Sequence, residues 1–171
     1  LSVLIHEMIE FSRMEIRGIM LYETVFNLNT FIEDSVLSAH PIANQKTIKI
    51  NILNSETEHT IWGDRDKLSQ VLGILLSNAV KFSHEDSTIK VEILSTNTQD
   101  IHITVQDFGI GIDEKNLNRV FQKFFQVDSS MTRHFEGTGI GLSIATNIVE
   151  AHGGTITIES ELNTGATFNV H

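Results

Sequence analysis

Asp107-Phe108-Gly109-Ile110-Gly111-Ile112 opens the stretch that decides the fold, and Gly137-Thr138-Gly139-Ile140-Gly141-Leu142-Ser143-Ile144 closes it. Glycine lets backbone approach a ligand closely and adopt φ > 0, which side chains resist. The second box runs straight into an apolar-periodic helix, whose first N–H groups would face an anion. Between the boxes, residues 126–136 are polar and hold little apolar content. They read as a lid with a glycine hinge at each end. One such box alone reads as an ordinary loop. Two boxes, the first led by an aspartate, point to a nucleotide site.

Three better-known phosphate signatures are absent. The second box spaces its glycines G-x-G-x-G, whereas a dinucleotide fingerprint needs G-x-G-x-x-G after a strand. No Gly-Lys pair occurs in the chain, which excludes a P-loop. Asp107-Phe108-Gly109 spells the protein-kinase triplet, but no His-Arg-Asp precedes it and no Ala-Pro-Glu follows.

Asp107 sits just past an alternating strand, Ile101-Ile103-Val105, which follows another, Ile89-Val91-Ile93. Upstream, Leu68, Val71, Leu72, Leu75, Ala79 and Phe82 follow helical spacing from a start at Asp64 or Asp66. Ile74, Asn78 and Lys81 lie on one line along the edge of that stripe. Spacing alone leaves open whether Asn78 and Lys81 reach a ligand or only solvent.

Further out, Ile48, Ile50 and Ile52 alternate as a strand, and Ile61-Trp62 forms a short one. A helix is expected from an Asn29 cap to His40, closed by Pro41, because the residue before proline disfavours helix. Leu1, Leu4, Ile5, Met8 and Phe11 mark a helix over residues 1–17, ended by Gly18. It has no core of its own, so it packs against another helix or chain. Past Asp107, Asp113 caps a short turn before Phe121, Phe124 and Phe125, which read as core or as the anchor of one lid end. A helix then spans residues 139–152, and a hairpin finishes the chain, with Ile156 and Ile158 before Gly165 and Ala166, Phe168 and Val170 after it.

These elements lack regular βαβ alternation, and each strand is apolar on one face. The expected fold is an α/β (α+β) two-layer sandwich: a mixed, mostly antiparallel five-stranded sheet covered on one face by three helices. The 171 residues suit one domain with a short appendage, and 40% hydrophobic content supports a core. A net charge of −10 argues against nucleic acid as a partner. Absent cysteine excludes disulfides and thiolate metal sites and suits a reducing compartment. The eight histidines never fall at zinc-ligand spacing. No apolar run approaches the ~20 residues of a membrane helix. Starting at Leu1 and stopping in a strand-like pattern at His171, the chain reads as a fragment.

Together the motifs resemble the ATP-binding domain of sensor histidine kinases, within the superfamily that includes DNA gyrase and mismatch-repair ATPases. Residues 75–83 resemble the asparagine box, residues 107–111 the first glycine box, residues 121–125 the phenylalanine box and residues 137–142 the second glycine box. Residues 126–133 resemble the lid of hybrid sensor kinases. Glu10-Phe11-Ser12-Arg13-Met14-Glu15 resembles the end of a dimerisation-domain helix, which assigns residues 1–22 to that helix and its linker and residues 23–171 to the ATP-binding domain.

The resemblance implies ATP and Mg²⁺ as cofactors and a protein-histidine kinase activity. Asp107 would accept from the adenine amino group, Asn78 would help hold Mg²⁺, and Lys81 and Arg133 would neutralise phosphate. Gly109, Gly111, Ile112, Phe125, Gly137, Thr138, Gly139, Gly141 and Leu142 would complete the cofactor site. The partners implied are a histidine-bearing dimerisation domain of the same protein, a response regulator or receiver domain, and a second copy in a homodimer, in the cytoplasm or the cytoplasmic part of a membrane-anchored sensor.

The chain departs from the family pattern at Ile74, where the asparagine box begins with another asparagine. That departure sets a rival reading, a nucleotide-binding regulatory module without kinase chemistry. A phospho-acceptor box is missing too. His6-Glu7 stands too close to the asparagine box to be one, so this fragment is not expected to phosphorylate itself.

Overall fold

The computed structural model describes residues 8–9, 12–14, 16, 18–53, 59–95, 101–127 and 138–171. Its elements run β1 (Thr24–Asn27), α1 (Leu28–Gln45), β2 (Lys49–Leu53), β3 (Thr60–Gly63), α2 (Arg65–Phe82), β4 (Thr88–Ser95) and β5 (Ile101–Gln106). A 3₁₀ turn (Glu114–Asn116), α3 (Gly141–Ala151), β6 (Ile156–Glu161) and β7 (Gly165–Val170) follow. One sheet of five strands has the order β2-β4-β5-β7-β6. Only β2 and β4 pair in parallel within it; the other neighbours are antiparallel. The expected mixed, mostly antiparallel sheet is the one observed.

Period-two burial shows which face meets the helices. Ile89, Val91 and Ile93 of β4, Ile103 and Val105 of β5, and Ala166, Phe168 and Val170 of β7 are all buried. They share one core with Leu28, Phe31, Ile32 and Val36 of α1, Val71, Leu72, Leu75 and Leu76 of α2, and Ile144, Ile148 and Val149 of α3. Burying side chains of this size is worth about 1.5–3 kcal/mol each, which outweighs local helix or strand preference.

Three local readings are corrected. Helix α1 starts one residue after Asn27, whose side chain accepts from Thr30 N–H at 3.0 Å, so Asn27 and not Asn29 is the cap. The helix also runs through Pro41 to Gln45. Pro41 is exposed, while Ala43 is fully buried, so packing of the last turn overrides the preference of the residue before proline. Helix α3 begins at Gly141 rather than 139, because Gly139 holds a φ of 70° that no helix accepts.

Ile61-Trp62 lies outside the main sheet. As β3 it pairs antiparallel with β1, a strand absent from the sequence reading, in a separate two-stranded ribbon. Helix α2 obeys its pattern: Asp64 caps it by accepting from Lys67 N–H at 3.0 Å. Ahead of β1, residues 8–9, 12–14 and 16 are helical. Gly18, with φ 71°, donates to the Met14 carbonyl, which ends that segment where expected.

Candidate functional site

The site grows from the end of β5. Asp107 follows its last residue and is only 5% exposed. Its N–H donates to the Ala166 carbonyl at 2.8 Å, which ties it to the start of β7. Its Oδ1 accepts from Gly109 N–H at 3.0 Å and from Ala166 N–H at 3.3 Å. Both bonds fall on one oxygen, which leaves Oδ2 for a ligand donor. Burial holds the carboxyl above the usual carboxylate range, while the Gly109 and Ala166 N–H groups and the charge of His84 pull it down.

Gly109 is required by contact rather than by φ. A Cβ there would fall on the Phe82 carbonyl oxygen, and Ile110 N–H donates to that same oxygen at 3.2 Å. The first glycine box therefore rests on the last turn of α2. That helix carries Asn78 and Lys81, both half-buried. The Lys81 ammonium lies 4.9 Å from the centre of the Phe82 ring. Next along, Ser83 is buried, and its Oγ has no partner among the described residues. An orphaned buried hydroxyl on a residue packed against Gly109 suits a site completed by a ligand.

Gly111 and Ile112 turn elsewhere. A Cβ on Gly111 would strike the Glu161 carbonyl, and Ile112 N–H donates to Ser160 Oγ at 2.8 Å. Their close approach is to the β6–β7 hairpin. Gly165, with φ 111°, in turn leaves no room for a side chain against the Asp107 carbonyl.

The second box enters at the start of α3. Thr138, Gly141 and Leu142 are half-buried, and Thr138 Oγ1 accepts from Ile140 N–H at 3.3 Å. Among the described residues no side chain caps α3, which leaves the N–H groups of its first turn suited to an anion. The Gly139 carbonyl accepts from Phe124 N–H at 2.9 Å, which joins the phenylalanine run to this box. Phe121 packs edge-on against Phe168, Phe125 lies 4.3 Å from the Arg119 guanidinium, and Phe124 is 60% exposed. The run is thus part core and part surface.

Ile74 is half-buried and packed on the core. A Cβ added to Gly141 would come within 3.3 Å of its Cγ2 methyl, so Ile74 sits between α2 and the start of α3. Arg133, Gly137, residues 128–136 of the expected lid and His6-Glu7 lie outside the described residues.

Two features carried no sequence signal. Lys46 reaches the last turn of α2, and His152 reaches its cap. Asp64 N–H donates to His152 Nε2 at 3.0 Å, while His152 Nδ1 lies 2.8 Å from the Ile148 carbonyl. Nε2 therefore accepts and Nδ1 donates. Asp64 Oδ2 also accepts from Tyr22 N–H at 2.8 Å. Burial acts to raise the Asp64 carboxyl, but the N–H groups of Tyr22, Lys67 and Asp66 and the nearby His152 together hold it below its usual range.

Residues 63–171 match the model of the "Histidine kinase-, DNA gyrase B-, and HSP90-like ATPase" family. Sensor protein GacS of Pseudomonas syringae pv. syringae is 32% identical over 96% of this chain and 19% of its own length. Signal transduction histidine-protein kinase BarA of Escherichia coli (strain K12) is 31% identical over all of this chain and 19% of its own. The chain thus spans 19% of the length of these curated relatives. Among solved structures, full-length ShkA in complex with AMPPNP superposes with a TM-score of 0.87 at 26% identity, over 98% of this chain and 34% of that one. The catalytic domain of histidine kinase ThkA gives 0.74 at 27%, over 89% and 94%.

Proposed function

The chain belongs to the histidine kinase-, DNA gyrase B- and HSP90-like ATPase family, and on that premise we propose that it is the ATP-binding catalytic domain of a sensor protein-histidine kinase. The observation that carries the reading is the buried Asp107 carboxylate. One of its oxygens is held by two backbone N–H groups, and it stands beside the helix of Asn78 and Lys81. An ionised carboxylate only accepts, so it pairs with the amino group of adenine and opposes the carbonyl of guanine.

The remaining residues divide the phosphate chain among them. Lys81, and Arg133 beyond the described residues, supply cationic charge. Gly137, Thr138, Gly139 and Gly141 let backbone N–H groups approach, and Leu142 opens α3 behind them. Phe125 closes the site on the side of the phenylalanine run, and Gly111 and Ile112 fix the first box to the hairpin. Asn78 offers an amide oxygen of the kind Mg²⁺ prefers. Among the described residues no group of three or more His, Asp or Glu is placed to hold a metal ion. That donor set fits an ion held largely by phosphate oxygens and water. When bound, the ion would neutralise charge on the β- and γ-phosphates.

Catalysis of this kind is mostly positioning and charge stabilisation. The γ-phosphoryl group would pass to a histidine on a dimerisation domain of the same protein, to which residues 1–22 lead. A receiver domain or response regulator would take it next, in the setting of a homodimer. Similarity to GacS, a sensor protein, and BarA, a histidine-protein kinase, favours this over a regulatory module without chemistry. No described helix is long and apolar enough to cross a membrane.

The test is phosphoryl transfer. Incubated with γ-labelled ATP and a separately supplied histidine-bearing dimerisation domain, the chain should label that domain with acid-labile phosphate and leave itself unlabelled. Nucleotide binding without any transfer would favour the regulatory module.

A further inference from the structure

The geometry points to Lys46 as the residue that holds the asparagine-box helix in register with the loop of Asp107, and so as a positioning residue for base selection. This inference rests on the nucleotide reading above. Lys46 follows the last residue of α1, far in sequence from either box, and is half-buried. Its ammonium donates to the carbonyls of Val80 at 3.0 Å, Lys81 at 2.7 Å and Ser83 at 3.1 Å.

Those carbonyls close α2. The last turn of a helix leaves carbonyls without intrahelical partners and carries partial negative charge, so a cation there is doubly favoured. Of the four successive carbonyls from Val80 to Ser83, Lys46 takes three. The fourth, on Phe82, accepts from Ile110 N–H and lies against Gly109. Gly109 N–H in turn donates to Asp107 Oδ1. An unbroken chain of contacts thus runs from the Lys46 ammonium through the end of α2 to the carboxylate that selects the base.

The arrangement is also braced from behind. The Lys46 carbonyl accepts from Asp86 N–H at 3.1 Å, which pins the turn after α2 to the turn after α1. Burial lowers the pKa of the Lys46 ammonium, and the charge of Glu85 opposes that. Without the charge, the last turn of α2 is free to tilt. The Phe82 carbonyl then moves, and Gly109 and Asp107 move with it.

Lys46→Met keeps the stem and removes the donors; Lys46→Arg keeps a charged donor. Titration calorimetry with ADP and with GDP would be run on the unmutated chain and both variants, below their melting temperatures. Lys46→Met should weaken ADP binding about tenfold, on the scale of charged hydrogen bonds. Its preference for ADP over GDP should fall as well, and Lys46→Arg should restore most of both. Ile50→Val, a packing change in edge strand β2, should lower the melting temperature and leave the preference unchanged. Should Lys46→Met not fold, Lys46→Leu, which likewise removes the charge and the donors, is read in the same way.

Unchanged ADP affinity and preference in the neutral variant, with normal binding by the unmutated chain, overturns this inference alone. A preference lost equally in Ile50→Val overturns it too. Failure of the unmutated chain to bind ADP overturns the nucleotide reading and this inference with it.

Discussion

Asp107→Asn separates what the carboxylate does for a ligand from what it does for its own loop. The amide carbonyl can still accept from Gly109 and Ala166 N–H groups at the 3.0 and 3.3 Å now seen on Oδ1. The second oxygen becomes an NH₂ donor, which opposes the amino group of adenine and suits the carbonyl of guanine. Losing a charge-assisted hydrogen bond costs about 1.5–3 kcal/mol. ADP should therefore bind about ten- to a hundredfold more weakly, and the gap between ADP and GDP should narrow or reverse. The unliganded fold should move the other way. Burial raises the folded pKa of Asp107, so the fold favours the neutral carboxyl. That contribution is full below the unfolded pKa and is lost as pH rises through the folded one. Asparagine is neutral throughout, so the variant should melt above the parent at pH 7. The difference should close as pH falls toward about 4, the ordinary carboxylate range. Calorimetric titration and melting curves at pH 7 and pH 4 read both effects. ADP affinity within about twofold of the parent, or a variant that melts lower at pH 7, would refute the reasoning.

Gly109→Ala drives a Cβ into the Phe82 carbonyl, so ADP binding should be lost and the melting temperature should drop, read by titration and circular dichroism. His152→Leu leaves Asp64 N–H without its acceptor and should cost about 1–3 kcal/mol in urea unfolding; an unchanged midpoint would contradict that wiring. Ile74→Asn should speed transfer to a supplied acceptor domain about tenfold, some 1.4 kcal/mol at the transition state, with ADP affinity little changed. Because the Ile74 methyl packs toward Gly141, the same variant should melt lower, and a slower transfer rate would mean that packing is its whole role.

Helix α2 was legible because its apolar residues repeat at 3.6 and Asp64 supplies a cap, so local and tertiary preferences agree. The same holds for β4 and β5, whose isoleucines and valines alternate and are buried on that alternation. Misreadings came where the two preferences part. Pro41 argues locally for a stop, yet the buried Ala43 beyond it belongs to the core, and the helix continues. Strand β1 has only four residues, of which Val25 is 64% exposed, too short a pattern to detect before its partner β3 is known.

The site divides in the same way. Asp107 and the glycines were visible as a motif, and so was Gly165 as a turn. That Gly165 closes on the Asp107 carbonyl is a contact between distant strands, which no window of sequence contains. Lys46 and His152 were invisible for that reason. One lysine after a helix and one histidine before Gly153 have no spacing to read, and only the fold brings them to the two ends of α2.

The central claim is that a buried, ionised Asp107 makes this an adenine-nucleotide site. Titration of the unmutated chain with ATP and with GTP, each with Mg²⁺, tests it most directly. ATP should bind saturably, and GTP more weakly by about tenfold or more, the value of one charge-assisted hydrogen bond. Equal affinity for the two nucleotides, or no binding of either, would contradict it.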